Sequence, residues 1–347
     1  MIRRALEDVV RAGIPFATRG EQPIDDLPPG GDVDVLVDAG DEAAIERVLV
    51  ASGFHRLRSP GHRRHRFFLA FDRERARWLK IDVSLVPRRL GWDLTARDPE
   101  NLERFAGYRV GTKARPSRLD RAWSWVARRR PLGLRRQGPV VAVLGPDGAG
   151  KGSVIAAVRP GIPAGVKPLY LGHGDVSRAE YARRPNRPER PRSPVRRSAG
   201  VVAARLVGAE VKMAQYRARR ALGLALRSWR AFPYAWRGDI VVCDRHPLEA
   251  LAVERDDRSL GARVEHRLLR ALVPTPDAIV LLDAPGEVLF ARKGEHSPEA
   301  LERARRAYRE TFVGERTTTV GTERDLDAVA ADVTAVLWRA LCERRGW

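Results

Sequence analysis

Apolar positions along the chain change their spacing in a way that divides it into three parts. Over residues 1–92 helical and strand periods are mixed. Leu6–Arg11 has helical spacing, Val33–Val37 is a short β-branched run, and Asp41–Ser52 is amphipathic with Asp41 in the N-cap position. Arg66–Phe71 and Trp78–Val86 read as two strands joined by a charged turn at Asp72–Arg75. Residues 93–137 are helical in pattern and rich in arginine, and they end in Pro131, Gly133 and Gly138, as a linker would. From Pro139 onward short apolar runs recur at Val140–Leu144, Lys167–Leu171, Ile240–Cys243, Ala278–Leu282 and Thr317–Val320, with helical stretches between them. Ser297-Pro298 starts one such helix, which continues through Tyr308, and Asp327–Arg344 forms the last. That alternation predicts an α/β fold: a parallel sheet over residues 138–347 with helices on both faces, preceded by a smaller α+β domain.

Composition narrows the classes. A chain of 347 residues with 44% hydrophobic side chains has material for two cores, not for wholesale disorder. Two cysteines, Cys243 and Cys342, cannot build a disulfide framework and suit a reducing, cytoplasmic setting. The first residues carry acids and do not read as a secretory leader. No apolar stretch reaches the ~20 residues of a membrane span; the longest, Ala199–Val211, is interrupted by Arg205 and Glu210. The net charge of +20 invites a nucleic-acid partner. Against it, no aromatic residues interleave the basic stretches to stack bases, so a small polyanionic ligand is the better expectation. A homodimer is left open. His62-x-x-His65 lies in an arginine-rich turn without acidic or thiol neighbours and reads as a solvated loop. Pro185, Pro188, Pro191 and Pro194 recur every third residue and favour extended polyproline geometry, either a linker or an arginine-bearing flap.

Candidate chemistry is concentrated where Val140–Leu144 breaks into Gly145-Pro-Asp147-Gly148-Ala149-Gly150-Lys151-Gly152-Ser153. Glycines at 145, 148 and 150 let the backbone curl so that successive N–H groups point at phosphate oxygens. Lys151 opens the next helix, whose dipole and unpaired amides favour anions. The hydroxyl that usually follows the lysine, and ligates Mg²⁺, comes one residue late at Ser153. Two later strands end in charged groups. Ile240–Cys243 delivers Asp244 and Arg245, and Ala278–Leu282 delivers Asp283, followed by a turn at Pro285 and a helix presenting Arg292 and Lys293. Ligands of open parallel sheets bind beyond the carboxyl ends of the strands, which places these groups near the loop. Arg303, Arg305 and Arg306 follow with Tyr308 on another helix; the arginines have the spacing to reach a phosphate but read mostly as a solvated face.

The glycine loop, the Val-Val-Cys-Asp244-Arg245-His246 strand end and the Leu-Leu-Asp283-Ala-Pro-Gly-Glu-Val-Leu-Phe-Ala-Arg292 segment together resemble thymidylate kinases and related P-loop nucleoside monophosphate kinases over residues 138–347. The Gly-Lys-Gly-Ser order is similar to the Gly-Lys-Gly-Thr of adenylate kinases. The resemblance implies a doubly wound P-loop kinase using ATP and Mg²⁺. Lys151 and the loop residues 145 and 147–153 would hold the donor phosphates, with Ser153 at the α-phosphate and Mg²⁺ held largely through water. Asp147 would face the acceptor sugar, Arg245 would contact the acceptor phosphate, Asp244 would position Mg²⁺ or its water, and Arg292 with Lys293 would form a short lid. His173 is a candidate at the acceptor entrance.

In the first part, Gly30-Gly31-Asp32-Val33-Asp34 places two carboxylates on one face of a strand, and Asp82 lies on a neighbouring strand. Three such acids can hold Mg²⁺ for chemistry on a nucleoside triphosphate. They resemble the nucleotidyltransferase fold, in which Gly-Ser precedes the paired acids; here Glu21 replaces the hydroxyl and would repel phosphate. The expectation is a first domain that transfers no nucleotide and serves acceptor binding or docking. Three functions therefore compete: a kinase acting on a nucleotide or another phosphorylated or hydroxylated small molecule, an ATP-sensing regulator or scaffold, and a nucleotidyltransferase acting on RNA or protein.

Overall fold

The computed structural model describes residues 1–19, 24, 27–57, 64–86, 137–172, 199–253, 257–294 and 296–347. Glu21, His62, His173, the prolines at 185–194 and the stretch 93–136 lie outside the described residues. The chain folds as α/β around two five-stranded sheets, one mixed and one wholly parallel.

The first sheet grows from Ile2–Arg11 (α1), whose buried residues Ile2, Ala5, Leu6 and Val9 form one stripe, so the helix starts a turn before the expected Leu6. Phe16–Arg19 (β1) follows, too short to show a period in the sequence. Asp32–Asp38 (β2), Glu42–Ala51 (α2), His55–Leu57 (β3), His65–Asp72 (β4) and Arg77–Val86 (β5) complete the unit in the order β1-β2-β5-β4-β3. β2 runs antiparallel to β1 and parallel to β5, with Asp34 opposite Asp82. Asp41 occupies the N-cap position of α2 but accepts no side-chain bond, in contrast to the expectation. Its backbone (φ −95°, ψ 5°) belongs to a preceding 3₁₀ turn, and Asp38 caps that turn by accepting from Gly40 N–H at 2.7 Å. A capping side chain needs an extended backbone to lean over the first amides.

The second sheet contains Val140–Leu144 (β6), Val166–Tyr170 (β7), Ile240–Asp244 (β8), Ala278–Asp283 (β9) and Thr317–Gly321 (β10), ordered β10-β9-β6-β8-β7. Its helices are Lys151–Val158 (α3), Ala199–Ser228 (α4), Phe232–Trp236 (α5), Ala250–Val253 (α6), Leu260–Leu272 (α7), Gly286–Lys293 (α8), Pro298–Thr311 (α9) and Leu326–Arg345 (α10). Every expected strand of this half is present. Side chains of β6 alternate between two cores: Val141 and Val143 pack with Val154 and Val158 of α3 and Val333 and Leu337 of α10. Ala142 and Leu144 pack with Ala252 of α6 and Tyr308 and Phe312 at the end of α9. Ser297 Oγ accepts from Ala300 N–H at 3.3 Å and caps α9 as its sequence predicts. The insertion-like region after Leu171 holds α4, which packs on α7 through Arg220, 2.6 Å from the fully buried Glu265 carboxylate. Among the described residues no helix is long and apolar enough to cross a membrane. Cys243 and Cys342 are both unpaired thiols.

The two sheets share packing. Trp78 of β5, 1% exposed, meets Trp338 of α10 edge-on at 4.9 Å between ring centres, and His55 stacks on Trp347 at 4.8 Å. Gly30, just before β2, has φ +77° and passes so close to the turn after α3 that a Cβ would lie 2.2 Å from the Pro160 carbonyl oxygen. Alanine there must both adopt left-handed backbone and displace another backbone. We expect Gly30→Ala to lower the unfolding free energy by about 1–3 kcal/mol. Gly13→Ala isolates the φ contribution, because Gly13 has φ +70° but open space around it. Urea unfolding of both variants should show the Gly30 substitution costing clearly more.

Candidate active site

β6 is the central strand of its sheet, and its carboxyl end turns directly into the glycine loop. The glycines there are required by close packing as well as by dihedral angle. A Cβ on Gly145 (φ +148°) would sit 2.5 Å from the Leu282 carbonyl oxygen, and one on Gly148 (φ +87°) 2.5 Å from that of Leu289. Gly150, at φ +83°, caps α3 at its N-terminal end. Pairing Val143 with Asp244 puts the end of β8 beside the start of the loop.

A cleft of about 490 Å³ opens over this junction, lined by Asp147 and the loop through Ser153, together with Asp244, Arg245, Arg292 and Lys293. Every residue expected at the phosphates lines it except Gly145. The Lys151 ammonium, 7% exposed, donates to the carbonyl oxygens of Gly145 at 2.5 Å and Pro146 at 3.0 Å. Burial pulls its pKa down, and the Arg245 charge adds to this. Glu249, Asp147 and Asp244 pull the other way.

Opposite the lysine, Arg245 donates to Asp147, and Lys293 Nζ lies 3.7 Å from the same carboxylate. Burial pushes the Asp147 carboxyl up, but the Arg245 hydrogen bond and charge, with Lys151 and Lys293, outweigh it and hold it below the usual carboxylate range. Arg245 has φ +58°, a left-handed backbone that a side chain adopts only where the surroundings impose it. That turn aims its guanidinium across the mouth of the loop instead of along the strand. Next to it, His246 is buried and accepts the Leu248 N–H at 3.4 Å; burial pushes its pKa down to about 4, so the ring is neutral and structural.

Asp244 closes the constellation. Its Oδ1 is buried and, among the described residues, has no hydrogen-bond partner. A carboxylate oxygen left bare beside this glycine loop is a fitting ligand for a hard cation or for one of its waters. With the Ser153 hydroxyl in the same cleft, the residues present fit Mg²⁺. The glycine amides and Lys151 likewise fit a polyphosphate.

Other charged residues from the sequence are engaged elsewhere. Arg292 donates to Thr322 Oγ1 at 3.0 Å and to its carbonyl at 2.5 Å, which anchors this edge of the cleft to the end of β10. Arg305 grips Asp283 with two bonds of 2.8 and 3.0 Å. Arg303 and Arg306 line a separate groove beside Glu287, Glu299 and Glu302.

Sequence reasoning missed Glu249. It is 8% exposed, and one of its carboxylate oxygens is buried without a partner among the described residues. Burial pushes its pKa up to about 7 against the opposing pull of Lys151 and Arg245. The available signal was a lone acid inside the apolar run Pro247-Leu-Glu-Ala-Leu-Ala-Val253.

In the first unit, ligand oxygens of Asp32, Asp34 and Asp82 all lie within 4.8 Å of one another, the convergence expected from strand register. Lys80 Nζ sits 2.6 Å from Asp32, and His65 Nδ1 2.9 Å from Asp82. His65 is therefore the first residue of β4, bonded to an acid, and not the solvated loop residue its surroundings in sequence suggested. Ser84 Oγ also meets His65 Nδ1, at 3.1 Å. Serine and aspartate thus converge on one ring nitrogen, which cannot pass a proton between them as a catalytic triad does. Three acids this close fit a divalent cation, though two of them already have a cationic or ring-nitrogen neighbour.

No protein-family model matches the chain, and no curated protein matches it.

Proposed function

We propose that the chain is an ATP- and Mg²⁺-dependent phosphotransferase of the P-loop kinase type, passing the γ-phosphoryl group to a nucleoside monophosphate or another small acceptor. The observation that carries this reading is the cleft itself. Glycine amides and Lys151 after β6, Asp244 and Arg245 at the end of β8, and Lys293 at the end of α8 surround one space. The strand order supports a doubly wound P-loop arrangement: β6 lies between β8 and β9, and the loop emerges where the chain's crossovers diverge to either side.

Phosphoryl transfer asks the protein mainly for positioning and for cations on the equatorial oxygens. In this reading the loop amides seat the donor's β-phosphate, and Lys151 leaves its two carbonyls to bridge β- and γ-oxygens. Arg245 and Lys293, now on Asp147, turn to the acceptor. Asp244 and Ser153 would hold Mg²⁺ or its waters, and the ion would supply positive charge against the polyphosphate. Arg292, tied to Thr322, fixes the wall against which the donor lies. An ATP sensor would have no use for a bare carboxylate and a strained arginine at the transfer point, which disfavours the regulatory reading. A nucleotidyltransferase reading rests on the acid triad, where Lys80 already neutralises Asp32. We assign the first unit to docking and acceptor binding in a cytoplasmic protein.

The test is turnover with ATP and Mg²⁺ against a panel of nucleotides, sugars and lipid phosphates. With a responding acceptor in hand, Arg245→Lys keeps the charge but loses the planar fork. We expect acceptor kcat/KM to fall by about an order of magnitude or more, with ATP affinity little changed. An equal loss of ATP affinity would place Arg245 on the donor instead.

A further inference from the structure

The carboxyl-terminal half of α4 is apolar on its outer side as well as on its packed one. Ala221, Leu224 and Ala225 lie in a core with Leu269 of α7. Leu222 and Leu226 fall on the opposite side, and Trp229 stands in the turn that follows; all three are half or more exposed. Their spacing of i, i+4 and i+7 makes them one helical stripe, which the exposed Val211 begins three turns earlier. At its end the stripe widens. Trp229 stacks on Phe232 at 4.9 Å between ring centres, and Phe232 meets the exposed Trp236 of α5 at 6.0 Å. Single apolar side chains on a surface need no explanation, but a continuous stripe of this kind points to a partner.

Two further observations describe that partner. The Trp229 indole N–H donates to the Leu272 carbonyl at the end of α7, at 3.1 Å. Its polar edge is thus satisfied within the protein, and the ring can leave water without stranding a donor. The surroundings of the stripe are cationic. From Val211 to Gly238 the chain has seven lysines and arginines and no acid. Arg217 and Arg220 are spent on Asp257 and Glu265 of the neighbouring segment. Lys212, Arg219 and Arg230 are exposed along one flank of the stripe, and α7 adds the exposed Arg263, Arg267 and Arg270.

Leucine and tryptophan rimmed by cations call for a partner that is anionic at its surface and apolar just beneath. A second copy joined through this face would set arginine against arginine across a two-fold contact. A nucleic acid would match the charge but give the two leucines no apolar surface to enter. An anionic phospholipid leaflet satisfies both demands. Headgroup phosphates take the cations, and the acyl boundary takes Leu222, Leu226 and the Trp229 ring. We propose that this face docks the protein on an anionic lipid bilayer, as a peripheral contact with α4 lying in the plane of the interface. The proposal is independent of the phosphotransferase reading.

The test is flotation of the full chain with lipid vesicles. Vesicles of equal parts phosphatidylcholine and phosphatidylglycerol should carry the protein, whereas vesicles of phosphatidylcholine alone should not. Leu222→Gln combined with Leu226→Gln should weaken binding by about tenfold or more, because both side chains lose their transfer into the acyl boundary. Lys212→Gln, Arg219→Gln and Arg230→Gln together should also weaken it by about tenfold or more and reduce its dependence on salt. All five side chains are exposed, so circular dichroism should show an unchanged fold. Phospholipid brominated along its acyl chains should quench tryptophan emission of the bound wild type, a readout that does not depend on any variant.

Failure of the wild type to bind the mixed vesicles would overturn the proposal. Binding undiminished in the leucine variant, or binding without quenching, would overturn it too and assign the adsorption to the net charge of +20. A dimer in sedimentation velocity that the leucine variant dissociates, with vesicles left unbound, would give the face to a second copy. Retention of a single-stranded oligonucleotide that the leucine variant loses, again without vesicle binding, would give it to nucleic acid.

Discussion

Lys151→Ala should abolish measurable turnover and weaken nucleotide binding, on the order of 10²–10³-fold in kcat/KM, while the chain stays folded. The ammonium is the cation best placed to reach both β- and γ-oxygens, because it emerges from the first turn of α3 under the arch of the loop. Its partners without ligand are two backbone carbonyls of the loop itself. Removing it leaves those carbonyls with a lone pair each to satisfy, beside a cleft open to water, so the structural penalty is modest. Lys151→Arg should fail nearly as badly, since a planar fork cannot occupy a seat shaped for a compact ammonium between two carbonyls. Circular dichroism checks the fold and calorimetric titration checks the nucleotide. Wild-type affinity in the alanine variant would remove the foundation of the kinase reading.

The largest effect on stability is expected from Trp78→Ala, about 3 kcal/mol. Trp78 lies in a cluster that also contains Leu69 of the first sheet and Leu337 of α10, so its indole packs both sheets at once. Its Nε1 is buried with no acceptor among the described residues, however, and truncation removes that donor together with the ring. The expected loss therefore lies at the low end for a buried tryptophan. For the same reason Trp78→Phe should be far milder, keeping an edge against Trp338 while shedding the N–H. Urea unfolding separates the two. We expect the alanine variant also to split a single transition into two, as the sheets lose their common core.

The inner strands of the parallel sheet were legible because they are buried on both faces and read as unbroken apolar runs, from Val140 to Leu144 and from Ala278 to Leu282. The loop was legible because phosphate binding needs glycines at fixed spacing. Three things were hidden. β1 and β3 are too short to display a period, and their existence follows from edges that β2 and β4 leave unpaired. α4 spreads alanine and arginine around its circumference, and it packs on α7 both through Ala221, Leu224 and Ala225 against Leu269 and through arginines on Glu265, ion pairs that no hydropathy pattern records. Glu249 is an acid whose meaning depends on a lysine about a hundred residues earlier in the chain. Sequence spacing shows which residues share an element, whereas counter-ions between elements appear only once the sheet is assembled.

The same distance has a consequence for how the protein comes into being. β6 is made first among its sheet, yet both of its neighbours, β8 and β9, are synthesised roughly a hundred or more residues later. Gly145 and Gly148 curl against the backbone of Leu282 and Leu289, which does not exist when the loop leaves the ribosome. The first sheet, by contrast, pairs strands that are all complete by residue 86. A nascent chain therefore carries a folded amino-terminal unit and an unformed loop for much of its synthesis, with the apolar β6 waiting for partners. On the proposed reading, nucleotide would stabilise only completed molecules and would do nothing to rescue truncated ones.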